Sequence, residues 1–290
     1  MTETLFPTPV ETAARVERRV RTASTRRMLL SISPLIAIVV IALLSPALLT
    51  FDPERVVGPP ATPPNGTHWF GTDASGMDVW SRVVAASQIN LLIAGGAVLA
   101  TSVLALVVGL LTGMNESHGG LRGLTARGLS RALDLFDAVP AIIVAMVLVT
   151  LYGVSPVSII VSISIILVPG QARLVRTEVL RVRNEAYLDA ARMAGASESE
   201  LIVREVLPNA SWPVIENINY VFGVAVILTA TLGFLGIGLA PPTPEWGSMI
   251  ARGASDATVG RWWAALFPTL ALIITVASVT LAVAALRRRD

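Results

Sequence analysis

Asp134 and Asp137, one helical turn apart in "RALDLFDAVP", come closest in this chain to the paired carboxylates of acid–base catalysis. Both stand at the edge of an apolar run, which suits interfacial or capping residues better than a catalytic dyad. Nucleophile and metal chemistry are less supported still. There is no cysteine, and the two histidines, His68 and His118, lie far apart in different loops. Neither H-E-x-x-H nor G-x-S-x-G occurs. All 22 basic residues are arginine, so the lysine of a phosphate-binding P-loop is missing. The expectation is a non-catalytic chain with no metal or cofactor of its own.

The elements that position these residues are membrane spans. The chain has 290 residues, 53% hydrophobic and 14% charged, with mean hydropathy +0.69; soluble domains carry about 25% charged residues. Runs of about 20 apolar residues, enough for a hydrocarbon core of roughly 30 Å, fall at 28–50, 89–113, 131–152, 156–176, 212–239 and 263–286. The fourth is interrupted by Pro169-Gly170. The reading is an all-α polytopic membrane protein with about six transmembrane helices. Its parts are a tail (1–27), a first transmembrane helix (28–50), an outer loop (51–88), a five-helix core (89–286) with a polar loop at 177–211, and a C-terminus (287–290). Eighteen arginines lie in the tail, near 114–131, at 173–211 and at the C-terminus; Arg55, Arg82, Arg252 and Arg261 lie opposite. That asymmetry predicts both termini in the cytoplasm. Arginines that follow helix ends, not one patch, argue against nucleic-acid binding; membrane lipid is the expected surrounding.

Asp134, Asp137 and Glu216 sit near span ends and none near a bilayer centre, which counts against a proton- or sodium-coupled carrier. Ala97, Thr101, Ala105, Gly109 and Gly113 place a small residue every fourth position, a stripe for close helix packing or a pathway lining. Gly233 and Gly236, in "LGFLGIGL", suit packing or flexibility equally.

Between the fourth and fifth spans lies "EAYLDAARMAGASESELIVREVLPNA", Glu185 to Ala210. It reads as a helical hairpin. Tyr187, Ala190, Ala191 and Ala194 share a mostly small face. Gly195 suits the left-handed residue that stops a helix. Ser197–Glu200 fits a capping box, and Pro208 is expected to end the second helix. A passive linker, a DNA-reading element and a docking element for a cytoplasmic partner all fit this pattern.

The segment resembles the EAA loop of binding-protein-dependent ABC importer permeases. Asp189-Ala190-Ala191 precedes Gly195 by that motif's interval, and Leu207-Pro208 closes it; Asp189 replaces the usual glutamate and Glu205 an apolar residue. "HWFGTDASGMDVWSRV" and "LGFLGIGLAPPTPEWGSMI" are similar to signatures of the peptide/opine/nickel subfamily, with Met77 where arginine is usual. Thr229 stands where that subfamily often has an acid, and "LAVAALRRRD" replaces its common ending. The resemblance implies the type I importer permease fold, with an EAA coupling helix seated in an ATPase subunit. It implies a second homologous permease subunit, two ABC ATPase subunits that hold ATP and magnesium, and an extracytoplasmic solute-binding protein. Glu185, Tyr187, Asp189, Ala190, Ala191, Arg192 and Gly195 are the expected ATPase-coupling residues. Trp69, Phe70 and Asp73 are candidate binding-protein contacts or loop-capping residues. Peptides are the expected cargo, with nickel chelates and opines as alternatives. A stand-alone channel or carrier and a membrane-tethered regulator are the rival functions.

Overall fold

The computed structural model describes residues 33–116 and 119–287. The tail at 1–27, the start of the first apolar run, His118 and the last three residues therefore lie outside the described residues. From Ser33 the chain forms α1 (Ser33–Leu43) and the short α2 (Ser45–Leu48), then a long structured loop. There follow α3 (Val79–Asn115), α4 (Gly120–Phe136), α5 (Ala141–Tyr152), α6 (Pro156–Arg183), α7 (Ala186–Met193) and α8 (Glu198–Leu201). A π-helical turn (Ile202–Val206) carries α8 into α9 (Leu207–Phe234), and α10 (Trp246–Ala257) and α11 (Trp263–Arg287) complete the chain.

Four helical stretches are long and apolar enough to cross a membrane, and a bent pair, α4 with α5, makes a possible fifth. The expected run at 131–152 is broken: its two halves meet at 99°. Pro140 has no N–H to donate, and its ring disfavours helical backbone at Val139, so α4 ends and α5 starts afresh. The Pro169-Gly170 interruption does not break α6, which runs unbroken through both residues. Boundaries move as well. The outer loop ends at Asp78 rather than 88, because the Asp78 carboxylate caps α3 by accepting from the Ser81 N–H at 2.8 Å.

At 37 residues, α3 is about 55 Å long and serves as the column of the fold. Successive apolar clusters stack along it. Val79, Val83 and Ala86 meet Trp246, Met249 and Trp263 at one end. Ile93, Ala94 and Ala97 meet α5, α6 and α9 in the middle. Met114 meets Val175, Val179, Val182, Leu188, Leu201 and Val206 at the other end.

The small-residue stripe is the seam of this column. Ala97, Thr101, Ala105, Gly109 and Gly113 are all buried, while Leu99, Val103, Val107 and Leu111 face outward. A Cβ on Gly109 would lie 2.5 Å from Val175 Cβ, and one on Gly113 2.6 Å from Val179 Cγ1. The missing side chains let α3 and α6 approach closely, so packing is their observed role.

Candidate functional site

The polar hairpin forms at the Met114 end of the column. Glu185 opens α7 in extended backbone, and its carboxylate reaches back to Arg181 at 3.5 Å. One residue anchors the helix: Leu188 is fully buried between Met114, Val179, Val182 and Leu201. Burying a leucine contributes roughly 1.5–3 kcal/mol. Arg183 fixes the neighbouring base by donating to the Gly113 and Met114 carbonyls, at 3.1 and 3.0 Å, where α3 runs out of helical partners.

The hairpin turn is a Schellman motif. The Ala196 N–H donates to the Ala191 carbonyl at 3.1 Å and the Gly195 N–H to the Arg192 carbonyl at 3.0 Å. Gly195 adopts φ +92°, which penalises any Cβ even though open space surrounds the position. Arg192 staples the turn by reaching Asp189 at 2.8 Å and Glu198, beyond the glycine, at 3.0 Å. The Glu198 carboxylate, more than Asp189, holds the guanidinium above its ordinary pKa. Ser197 Oγ accepts from the Glu200 N–H at 3.3 Å, whereas the Glu200 carboxylate pairs with Arg204.

Of the residues assigned to one small face, Tyr187, Ala190 and Ala194 are exposed, but Ala191 turns inward against the buried cluster. Met193 joins the outer face instead, 90% exposed. Sequence reasoning also passed over Leu188; an inward leucine among alanines was the available signal. α7 thus presents an uncovered, mostly apolar face held from behind by Leu188, with Ala191 beside it.

Pro208 does not end the second helix. Helical backbone continues from Glu198 to Phe234. In the π turn the Leu207 N–H donates to the Ile202 carbonyl, five residues back, and this wider turn precedes the proline and accommodates its ring. Leu201, Val206 and Ala210 are buried, so this half of the hairpin is rooted in the membrane-spanning helix.

The opposite end of the column is tied more tightly. Arg82, 2% exposed, donates to the Pro53 and Pro242 carbonyls at 2.7 and 3.0 Å, joining segments distant in sequence. His68 Nδ1 lies 2.8 Å from Asp78 Oδ1. Trp246 Nε1 donates to the Val83 carbonyl and Trp263 Nε1 to the Thr72 carbonyl. Here Phe70 stacks on Phe267 at 3.7 Å, and Asp73 accepts from the Ser75 and Met77 N–H groups. Phe70 thereby docks the loop on α11 and Asp73 shapes the loop's own turn, while Trp69 stays exposed beside Trp80.

Glu245, missed by sequence reasoning, caps α10 while fully buried; its carboxylate accepts from the Gly247 and Ser248 N–H groups at 2.7 and 2.8 Å. Burial raises its pKa to about 7 despite those two donors. Gly233 packs directly beneath this carboxylate, whereas Gly236 takes φ +79° to end α9. Thr229 is buried and donates to its own helix at Ala225. Asp134 and Asp137 both pair with Arg173 and form no dyad. Among the described residues no cluster of histidine and carboxylate ligands suits a metal.

Among the described residues the regular elements are helices, several long and apolar enough to span a membrane, with a hairpin hung from them. The family described as binding-protein-dependent transport system inner membrane component matches residues 105–289. The chain is 34% identical over 273 residues to a protein of Brucella suis biovar 1 assigned as a peptide transport system permease, covering 94% of this chain and 88% of that one. It is 32% identical to the di/tripeptide transport system permease protein DppC of Pseudomonas aeruginosa, over 85% of this chain and 82% of that one. It is also 32% identical to the glutathione transport system permease protein GsiD of Pectobacterium atrosepticum, over 73% and 68% respectively. The chain belongs to the binding-protein-dependent permease family. It is a permease subunit of an ABC importer and a multi-pass protein of the bacterial plasma membrane, working with ATPase and binding-protein partners.

Proposed function

We propose that this chain forms half of the translocation pathway of an ATP-driven importer of di- and oligopeptides. Both termini would face the cytoplasm, as the arginine asymmetry predicts. A second permease subunit, two ATPases and an extracytoplasmic solute-binding protein complete the assembly. The peptide cargo is supported by the names of the Brucella and Pseudomonas relatives.

The observation that carries the coupling role is the uncovered apolar face of α7, whose one fully buried residue is Leu188. A short helix held this way suits a cleft on a partner. Tyr187, Ala190, Met193 and Ala194 make the contact, while Glu185, Asp189, Ala191, Arg192 and Gly195 set the helix's shape and tilt. ATP and magnesium sit on the partner ATPases. When these close, they move α7, and the movement passes through the π turn into α9 as a switch between two arrangements of the spans. Binding-protein contact falls to Trp69, with Phe70 and Asp73 holding the loop in shape.

The test is uptake of labelled dipeptide by a strain lacking the gene, with wild type and Met193→Cys reintroduced. Restored uptake and a thiol-specific crosslink between the introduced cysteine and an ATPase subunit are expected. Transport by the purified chain alone in liposomes would instead establish a stand-alone carrier. Restored uptake of a nickel chelate but no peptide would overturn the cargo.

A further inference from the structure

The α4–α5 elbow, the middle of α6 and the facing part of α9 line an open cavity of about 550 Å³. That lies within the range of small-molecule sites, roughly 300–1,000 Å³. Most of its wall is aliphatic, including Ile166 and Leu228, but Asp137, Gln171, Arg173 and Tyr220 also line it.

Three observations separate it from a packing defect. The chain is irregular from Asp137 to Pro140, and all four of these residues line the cavity. Gln171 is 4% exposed, and its carboxamide oxygen has no hydrogen-bond partner among the described residues. A buried polar atom left this way costs about 1–3 kcal/mol, which a ligand N–H would recover. Lastly, Arg173 pairs across the cavity's edge with Asp137 and, at 3.3 Å, with Asp134. The Arg173 and Asp137 side chains are 48% and 32% exposed. A pair this accessible is worth at most about 1 kcal/mol, so charged groups of a ligand can replace it at little cost.

One carboxylate, one guanidinium and one unsatisfied amide oxygen complement an ammonium, a carboxylate and an N–H on one small molecule. The second carboxylate, Asp134, leaves the group net negative and favours the ammonium. The geometry points to a relay site for a short unmodified peptide: Asp137 takes its ammonium, Arg173 its carboxylate, and Gln171 a backbone N–H. This rests on the reading of the chain as a peptide permease.

The absence of cysteine makes the site directly testable. Gly170 lines the cavity, and a Cβ added there meets nothing within 4 Å, so Gly170→Cys places one thiol in its wall. Labelling by a small methanethiosulfonate is followed on this subunit by mass, in proteoliposomes holding the complete transporter. A dipeptide at about ten times its Kd is expected to slow labelling about tenfold. Its N-acetylated and C-amidated forms are expected to protect less. Asp137→Asn should abolish the discrimination against acetylation, and Arg173→Gln that against amidation. Gly119→Cys, also in open space but in the turn before α4, should label equally with and without peptide. Dipeptide uptake without protection of the Gly170→Cys thiol overturns the site and leaves peptide import standing. So does protection unchanged by Asp137→Asn and Arg173→Gln, or equal protection of the Gly119→Cys thiol. No dipeptide uptake by the unsubstituted transporter overturns both readings.

Discussion

The two ends of α3 are built to opposite specifications. At the Val79 end, Arg82, the His68–Asp78 pair and two tryptophan N–H bonds tie four distant segments together, nearly all of it buried. At the Met114 end, α7 hangs from one leucine and a stapled turn, with its outer face bare. Long-range buried hydrogen bonds make a segment open only with the whole fold, whereas few buried contacts let a segment move locally. The first end resists displacement and the second invites a partner to move it.

That contrast can be broken by substitution. The largest effect is expected from Gly195→Asp, which should abolish peptide uptake while the protein inserts normally and its thermal midpoint barely moves. The left-handed turn would be strained by roughly 1–2 kcal/mol in one local place, and a charge would enter the docking surface. Uptake at wild-type levels would refute the role of α7.

Trp246→Ala should do the reverse. It should destabilise the whole membrane domain by about 3–5 kcal/mol, read as a lower unfolding midpoint in detergent, because a buried indole and its bond to Val83 are lost together. Leu188→Ala should cost about 2–4 kcal/mol, but confined to the hairpin. Faster hydrogen exchange in α7 with an unchanged global midpoint is expected; a global loss would show that the two ends are not distinct.

Glu245 sharpens the comparison through pH. Its folded pKa, raised to about 7 by burial, exceeds the ordinary value of 4.5. The neutral form is therefore favoured by the fold. That contribution is complete below the unfolded value and is lost as pH rises through about 7. The unfolding midpoint should fall between about pH 5 and about pH 8, and Glu245→Gln should flatten this slope. The smallest effect is expected from Arg192→Gln, whose half-exposed pairs contribute about 1 kcal/mol or less, seen as a modest drop in coupled uptake.

Much of this was legible from residue types alone. Missing lysine and cysteine excluded whole chemistries, apolar runs marked the core spans, and the interval from Asp189 to Gly195 marked the hairpin and its left-handed stop. The elbow at Pro140 and the continuous helix through Pro208 were not legible. Both are prolines in helical surroundings, and whether the chain breaks or absorbs the ring depends on a neighbouring turn, here a π turn, that has no sequence mark.

Facing was legible only in part. On α3 the outward residues Leu99, Val103, Val107 and Leu111 are large and apolar, while the inward face mixes small residues with buried polar ones such as Asn90, Thr101 and Thr112. Size and scattered polarity, not an apolar stripe, marked the inner side. Ala190 and Ala191 are identical in type, yet the first is exposed and the second packs against the buried cluster. Composition and spacing determined that this is a polytopic membrane protein with a charged hairpin, and the motif resemblance marked it as a permease. Tertiary structure decided which alanine meets the partner, which glycine packs under Glu245, and which end of the column is free to move. Each depends on what stands across a few ångströms of space, a relation that one-dimensional order does not carry.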